Sequence, residues 1–204
     1  MASAAGIAAI VFDLGGVLVD VDFHRALARW AAAAGVPAEQ LAPRFRRDDA
    51  FCAHERGELD DRGYFAHLRI LLGVDIGDDA LLAGWNAALG EPLPGVEALL
   101  RRLELPLYVF SNTNPAHLAH FTPRHERLLG LFRKVITSCE IGARKPEAEA
   151  FRRLAKIIGA KPEQLAFFDD LEENVLGARR AGLSAFQVTQ LDDISRAIQN
   201  LSAR

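Results

Sequence analysis

The stretch Ile7-Ala-Ala-Ile-Val-Phe-Asp13-Leu-Gly-Gly-Val-Leu18 decides the fold. It begins as an apolar run and then meets an acid followed by two glycines, a pattern typical of a strand buried on both faces of a parallel sheet. A carboxylate at the end of such a strand is costly unless it is paired or bound to a metal, and the glycines let backbone approach a ligand. We therefore expect Asp13 at the sheet edge where open α/β sheets bind ligands. An Asp that only starts a turn is the alternative.

The bulk composition is that of an ordinary globular chain. With 204 residues, 50% apolar and 25% charged, the chain can form one sizeable domain or a core domain with a small insert. The formal net charge of −3 gives no reason to expect a nucleic acid or a membrane surface as a partner. The pairs Arg46-Arg47 and Arg179-Arg180 are expected on solvated helix faces.

Cysteine usage and the N-terminus favour a cytoplasmic protein. Cys52 and Cys139 lie far apart, which fits neither a disulfide framework nor a metal-spaced pair, so we expect two buried thiols in a reducing compartment. The segment Met1–Ala5 lacks basic residues, and Asp13 ends the apolar run after it, so no signal peptide is predicted. No window approaches a transmembrane span. We expect a monomer or a weak homo-oligomer.

The segment 20–89, called the helical block below, shows helical spacing of apolar residues throughout. Asp22 is a candidate N-cap for a helix that ends near Ala34, and no strand is expected in the block. The further helices are predicted at about 38–47, 48–57, from 60 and 78–89. We therefore predict a small all-helical cap domain of residues 20–89, inserted into a core domain of residues 1–19 and 90–204.

From Pro92 onward, strands alternate with helices. Apolar strand patterns end near Phe110, Ser138, Phe168 and Val188, and each is followed by a helical pattern. Such alternation predicts an α/β fold with a parallel, doubly wound, Rossmann-like sheet. With the first strand, the sheet would have about five strands.

Polar residues follow four of these strands. They are Asp13, Ser111-Asn112, Lys145 and Asp169-Asp170. Each has an ordinary structural explanation as a turn residue, a solvated lysine or a helix N-cap, but parallel strand ends meet at one edge. Together these residues suit phosphoryl transfer: carboxylates hold Mg²⁺, a carboxylate can attack phosphorus, and a lysine and a hydroxyl can neutralise the transferred group.

The order of these motifs resembles the haloacid dehalogenase (HAD) superfamily of phosphohydrolases over essentially the whole chain. The chain is similar in particular to the bacterial α-D-glucose-1-phosphate phosphatases of that superfamily. The shared phrases are Phe12-Asp-Leu-Gly-Gly-Val-Leu18, Asp20-Val-Asp-Phe23, His54-Glu-Arg-Gly-Glu58, Ser111-Asn-Thr-Asn114, Arg144-Lys-Pro-Glu147, and Phe167-Phe-Asp-Asp170 with Asn174.

The resemblance implies a role for each strand-end residue. Asp13 would be the nucleophile, Ser111 and Asn112 would bind the phosphoryl group, and Lys145 would bridge that group and the nucleophile. The implied cofactor is Mg²⁺. Its implied ligands are Asp13, Asp170, the carbonyl of Gly15, and a water molecule held by Asp169.

Gly15 departs from the superfamily pattern. Most phosphatases of the superfamily carry an Asp there as general acid and base, whereas the glucose-1-phosphate subgroup shares the glycine. Either the leaving group, such as an anomeric hydroxyl, needs less protonation, or a group of the helical block replaces the acid. The candidates are Asp20, His24, His54 and Glu55, which could instead be surface or packing residues. His117, His120 and His125 are expected to be surface histidines.

The sequence thus predicts a Mg²⁺-dependent phosphatase acting on a small soluble phosphate monoester, with a sugar phosphate such as glucose 1-phosphate favoured. A nucleotidase is the enzymatic alternative. A non-catalytic phospholigand-binding or regulatory protein is the alternative from another class, with the missing acid as its physical reason. A dehalogenase is disfavoured because the acidic pair Asp169-Asp170 suits a metal, and a phosphomutase is disfavoured because Gly15 offers no acid.

Overall fold

The computed structural model describes residues 6–202. The segment Met1–Ala5, for which no signal peptide is predicted, lies outside the described residues, as do residues 203–204. Within the described part of the chain, no helix is long and apolar enough to cross a membrane.

Seven strands form two sheets within residues 6–202. In chain order they are β1 Ala9–Phe12, β2 Val19–Val21, β3 Leu89–Pro92, β4 Leu107–Ser111, β5 Lys134–Thr137, β6 Leu165–Asp169 and β7 Ser184–Gln187. The main sheet has the order β5-β4-β1-β6-β7 with every neighbouring pair parallel. This confirms the predicted doubly wound α/β fold. It also places β1 at the centre, so that Asp13 sits between the ends of β4 and β6.

The main sheet is buried on both faces because its strands are apolar on both faces. Along β1, Ile10 and Phe12 belong to one hydrophobic cluster and Val11 to the other, as the alternation of side chains in a strand requires. Phe12 stacks on Phe168 of β6 with ring centroids 5.2 Å apart. Helices cover the two faces.

Twelve α-helices accompany the sheets in the described residues. Five lie in the helical block: α1 Phe23–Ala34, α2 Ala38–Leu41, α3 Asp49–Glu55, α4 Asp61–Leu72 and α5 Asp78–Ala87. The other seven are α6 Val96–Leu100, α7 Pro115–Arg124, α8 Glu126–Leu129, α9 Ser138–Ile141, α10 Ala148–Ile158, α11 Glu172–Arg180 and α12 Leu191–Ser202.

The helical block has a hydrophobic cluster of its own around Trp30 and Trp85, whose rings stack with centroids 6.2 Å apart. Asp22 caps α1 as predicted, because its carboxylate accepts a hydrogen bond from the His24 N–H at 2.8 Å. The helix predicted at 38–47 is shorter: α2 ends at Leu41, and residues 45–48 are neither helix nor strand.

Two short strands were not predicted. β2 and β3 pair antiparallel where the chain enters and leaves the helical block, and the Leu93 N–H donates to the Leu18 carbonyl at 2.9 Å. Strands of three and four residues carry almost no periodicity, and they find partners only through pairing across the whole block. The ribbon ties the block to the residues that follow Asp13.

Candidate active site

The four predicted strand ends meet at one edge of the main sheet, where Lys145 connects two carboxylates. Its Nζ lies 2.7 Å from Asp13 Oδ1 and 2.7 Å from Asp169 Oδ2, and it also donates to the Phe110 carbonyl at 3.0 Å. Lys145 is 1% exposed and Asp169 is fully buried. A buried lysine with three oxygen partners is held in a single position.

Asn112 fixes the backbone of Lys145. Its side-chain amide donates to the Lys145 carbonyl at 2.9 Å, and its Oδ1 accepts from the Lys145 N–H at 2.9 Å. The side chain predicted to bind the phosphoryl group therefore joins the end of β4 to the lysine loop, although Asn112 still lines the pocket. Ser111 is buried and also lines the pocket.

Asp169 has a structural environment different from that of Asp170. Asp169 Oδ1 accepts from the Leu171 N–H at 3.0 Å and from the Asn174 amide at 2.9 Å, while Oδ2 is held by Lys145. Asp170 instead faces the pocket. Gly16 makes room for it: Gly16 has φ of +74°, and a Cβ there would lie 2.5 Å from Asp170 Oδ2, so the position requires glycine.

The three aspartates can converge on one cation. One carboxylate oxygen from each of Asp13, Asp169 and Asp170 can be chosen so that all three lie within 4.8 Å of one another. Carboxylate oxygens are the hard ligands that Mg²⁺ prefers, usually with several waters retained. The donor set therefore fits the ion that the sequence implies, and Gly15 lies in the same pocket lining.

Burial shifts the pKa values of this cluster. The pKa of Asp13 is raised to about 7, because burial, helped by the charges of Asp169 and Asp170, outweighs the lowering effect of Lys145. The pKa of Lys145 is raised because the two carboxylates outweigh its burial, so the lysine stays protonated. Burial and the neighbouring Asp169 raise the pKa of Asp170. A divalent cation among these oxygens would favour their ionised forms.

The site opens into a pocket of about 200 Å³ between the sheet edge and the helical block. The block contributes mainly apolar and aromatic side chains to its wall. These residues are Val21, Phe23, Arg47, Phe51, Glu55, Trp85 and Leu89. One pocket thus combines the acidic and lysine side chains of the core with a mainly apolar wall.

Of the four residues of the block predicted as possible replacements for the acid, only Glu55 lines the pocket. Its carboxylate lies 2.7 Å from Arg144 Nε. His54 is buried, with Nε2 2.8 Å from Asp61 Oδ1. Asp20 forms an ion pair with Arg25, in which Oδ2 and Nη1 lie 2.5 Å apart, and it is absent from the pocket lining. His24 is exposed and is also absent from that lining.

The prediction of three surface histidines is wrong for two of them. His117 and His125 are buried, and His120 is partly exposed. His117 lines the pocket and stacks on Trp85 with ring centroids 4.8 Å apart. A local signal was available: Asn114 caps α7, and its Oδ1 accepts from the His117 N–H at 3.0 Å. This turn directs the histidine toward the block.

The ring nitrogens of His117 are both engaged. Nε2 lies 3.0 Å from the Trp85 carbonyl and Nδ1 lies 3.3 Å from the Asn114 amide nitrogen. The carbonyl can only accept and the amide can only donate, so the neutral imidazole carries its proton on Nε2. Burial lowers the pKa of His117 to about 3. His117 is therefore a neutral link between the block and α7.

Sequence reasoning missed Arg47 and Arg144 as pocket residues. Arg47 was expected on a solvated helix face, but it lies in the non-helical segment 45–48 and lines the pocket. Its guanidinium carbon lies 5.7 Å from the ring centroid of Phe23 and 5.8 Å from that of Phe51.

The cysteines also differ from expectation. Cys52 and Cys139 were predicted to be buried, but both are partly exposed.

A family model described as haloacid dehalogenase-like hydrolase matches residues 7–182. The chain belongs to this family. The predicted resemblance to the HAD superfamily is confirmed. The predicted enzyme class, a hydrolase acting on phosphate monoesters, is confirmed as well.

Relatives and solved structures agree with this assignment. The chain is 30% identical to phosphatase MT3486 of Mycobacterium tuberculosis, over 97% of this chain and 96% of the relative. It is 26% identical to the D-ribitol-5-phosphate phosphatase of Bacteroides thetaiotaomicron, over 87% and 90%. A HAD family enzyme of that organism, solved with magnesium and inorganic phosphate, superposes with a TM-score of 0.76 at 27% identity, over 89% of this chain and 94% of that chain.

Proposed function

We propose that this protein is a Mg²⁺-dependent phosphatase that hydrolyses a small phosphate monoester through an aspartyl phosphate on Asp13. One observation carries the proposal: Lys145 holds Asp13 and Asp169 at 2.7 Å each at the base of the pocket. Asp170 faces that pocket. When bound, Mg²⁺ would supply positive charge that the carboxylates and the phosphoryl oxygens share. Asp13, Asp170, the Gly15 carbonyl and, through water, Asp169 would hold it.

The residues of this chain divide the work of the reaction. Asp13 attacks phosphorus with a carboxylate oxygen, and the bond from phosphorus to the ester oxygen breaks. Lys145 neutralises charge on the equatorial oxygens, and Ser111 and backbone at the end of β4 bind the same group. Asn112 acts by holding the lysine backbone. Water then releases phosphate and restores the Asp13 carboxylate.

The size of the pocket favours a small substrate. Its volume of about 200 Å³ is below the range of roughly 300–1,000 Å³ that holds drug-sized ligands. A sugar or polyol phosphate fits this space better than a nucleotide does, and a relative named D-ribitol-5-phosphate phosphatase points the same way. Glucose 1-phosphate remains our first candidate, because its anomeric hydroxyl is a good leaving group for a site with glycine at position 15.

We also propose that residues 20–89 act as a cap domain over a core domain of residues 1–19 and 90–204. Two observations support this division: the helical block has a hydrophobic cluster of its own, and it contributes aromatic side chains to the pocket wall. The cap would exclude water and select the substrate.

Phosphate release tests the proposal. The panel is glucose 1-phosphate, D-ribitol 5-phosphate, a nucleoside monophosphate and a chromogenic aryl phosphate, each with Mg²⁺ and with EDTA, beside Asp13→Asn. We expect Mg²⁺-dependent release that the variant loses by about 10⁴-fold or more, and faster release from the sugar phosphates than from the nucleotide.

Two results would contradict the proposal, and a third would change its substrate class. Release that Asp13→Asn leaves unchanged would show that another protein or another residue is responsible. No release from any substrate, with retained binding of Mg²⁺ and inorganic phosphate, would favour a non-catalytic phospholigand-binding protein. Fastest release from the nucleotide would replace the sugar-phosphate proposal with a nucleotidase.

A further inference from the structure

The site holds no acidic side chain at position 15. A Cβ on Gly15 would lie 2.9 Å from Val21 Cγ2, so the β2 strand occupies the space that a side chain there would need. The glycine is therefore part of the packing between the nucleophile loop and the ribbon that leads into the helical block. Protonation of the leaving group must be handled from elsewhere.

Three other titratable side chains at or near the pocket are committed to other contacts. Glu55 is held by Arg144 at 2.7 Å; burial raises the pKa of its carboxyl, and the ion pair opposes that rise without cancelling it. His117 is neutral, and its Nε2 proton is engaged by the Trp85 carbonyl. His54 is buried against Asp61 outside the pocket lining. Each of these three side chains is thus engaged by a partner within the protein.

Arg47 is the cation that the helical block adds to the pocket wall. Among residues 6–202 no carboxylate forms an ion pair with it, whereas Arg144 is paired with Glu55. Its side chain lies beside the rings of Phe23 and Phe51, both pocket residues. Arg47 shares this pocket with Asp13 and Asp170. The guanidinium thus lines the same pocket as the metal-binding edge, without a carboxylate partner of its own among the described residues.

In-line displacement places the leaving oxygen on the side of phosphorus that faces away from the nucleophile. Asp13 lies at the sheet edge, so that side faces the helical block. We propose that Arg47 donates an N–H to the leaving oxygen and stabilises its developing negative charge, in place of an acid at position 15. This inference rests on the proposed phosphatase function.

The step balances without a general acid. The Asp13 oxygen bonds to phosphorus, and the ester oxygen leaves with the electron pair of the broken bond as an alkoxide beside Arg47. The alkoxide takes a proton from water and departs as an alcohol. The hydroxide that remains attacks the aspartyl phosphate, which releases hydrogen phosphate and restores the Asp13 carboxylate. Arginine suits this role because it stays charged at every working pH and presents several N–H donors.

The dependence of rate on the leaving group tests the proposal. Aryl phosphates whose phenols span a range of pKa values, together with an alkyl phosphate, are hydrolysed by the wild type, Arg47→Gln, Arg47→Lys and the control Arg46→Gln. Arg46 is exposed and absent from the pocket lining. For Arg47→Gln we expect kcat to fall by about 10²-fold on the poorest leaving group and by only about threefold on the best. The plot of log kcat against leaving-group pKa therefore becomes steeper, and Arg47→Lys restores part of the slope.

Each outcome decides for or against Arg47. A loss that is equal across the series, or one confined to KM, would overturn the proposal and leave Arg47 as a substrate-binding residue. A steeper slope in Arg46→Gln would show a non-specific charge effect and would also overturn it. Failure of the proposed function is distinguishable, since the wild type itself would then release no phosphate from any member of the series.

Discussion

The pocket has two walls that are built differently. On the core wall, Asp13, Lys145 and Asp169 are buried and joined to one another by contacts of 2.7 Å. On the wall of the helical block, the rings of Phe23 and Phe51 lie beside Arg47, which is exposed.

The difference teaches how the molecule separates two tasks. The charged side chains that must stay in place during bond breaking project from strand ends, where neighbouring parallel strands fix the position of the backbone. On the proposed function, contact with the variable part of a substrate would come from side chains on helices and loops of the inserted block, which can change without disturbing the sheet. Substitutions in the core wall should therefore lower both the stability of the protein and the rate of the reaction. Substitutions in the block wall should mainly change the selectivity among substrates.

The largest effect is expected from Lys145→Met. The change leaves two buried carboxylates without their cation, and breaking a buried pair typically costs about 3–5 kcal/mol of unfolding free energy. We expect a loss of that order in urea denaturation, together with a fall in kcat of about 10²–10³-fold. Adding Asp169→Asn should recover part of the stability but not the rate. A double variant no more stable than Lys145→Met would show that like-charge repulsion is not the cause.

An intermediate effect concerns the His117 link between the walls. The pKa of His117 is about 3 in the folded protein, below the ordinary value of 6.5, because of burial. Between these values the unfolded chain binds a proton that the native state does not, so stability falls as pH decreases from 6.5 toward 3. We expect His117→Gln to make the dependence of unfolding free energy on pH shallower by about 1.4 kcal/mol per pH unit between pH 5.5 and 4.5.

The exposed His24 provides the matched control for this titration. Urea denaturation of His24→Gln at the same two pH values should give the slope of the wild type. An unchanged slope in His117→Gln would mean that His117 is protonated in the folded protein, and the neutral link would then be wrong.

The smallest effect is expected at the ion pair between Glu55 and Arg144, which joins α3 to the loop that carries Lys145. The two side chains are 11% and 17% exposed, so a double-mutant cycle with Glu55→Gln and Arg144→Gln should give a coupling energy of about 1 kcal/mol. The exposed pair of Glu149 and Arg153 is the control, with about 0.3–0.5 kcal/mol expected. Equal coupling in both cycles would show that the Glu55 pair adds nothing by its burial.

The core wall could be predicted from the sequence because its signals are local. Each strand is an apolar run that ends in a polar residue, and the parallel arrangement then brings Asp13, Asn112 and Asp169 to one edge. The pattern of apolar strands does not predict which hydrogen-bond partner each polar side chain has. The binding of the Lys145 backbone by Asn112 joins residues 33 positions apart, and no local signal records it.

The block wall could be predicted only in outline. Helical spacing identified the five helices, but α2 ends early, and this places Arg47 in a loop over Phe23 instead of on a solvated helix. The burial of His117 depends on Trp85, which packs on it from a helix elsewhere in the chain. Both features arise from packing between distant segments, where local propensity carries little information.

The central claim is that Asp13 carries the phosphoryl group during turnover, and chemical trapping tests it most directly. The enzyme is mixed with Mg²⁺ and its best substrate, quenched within a turnover, and treated with borohydride, which reduces an acyl phosphate to an alcohol. We predict that mass spectrometry finds the Asp13 side chain converted to that of homoserine, only when substrate is present. Steady release of phosphate with Asp13 unmodified, or with another carboxyl reduced instead, would contradict the account.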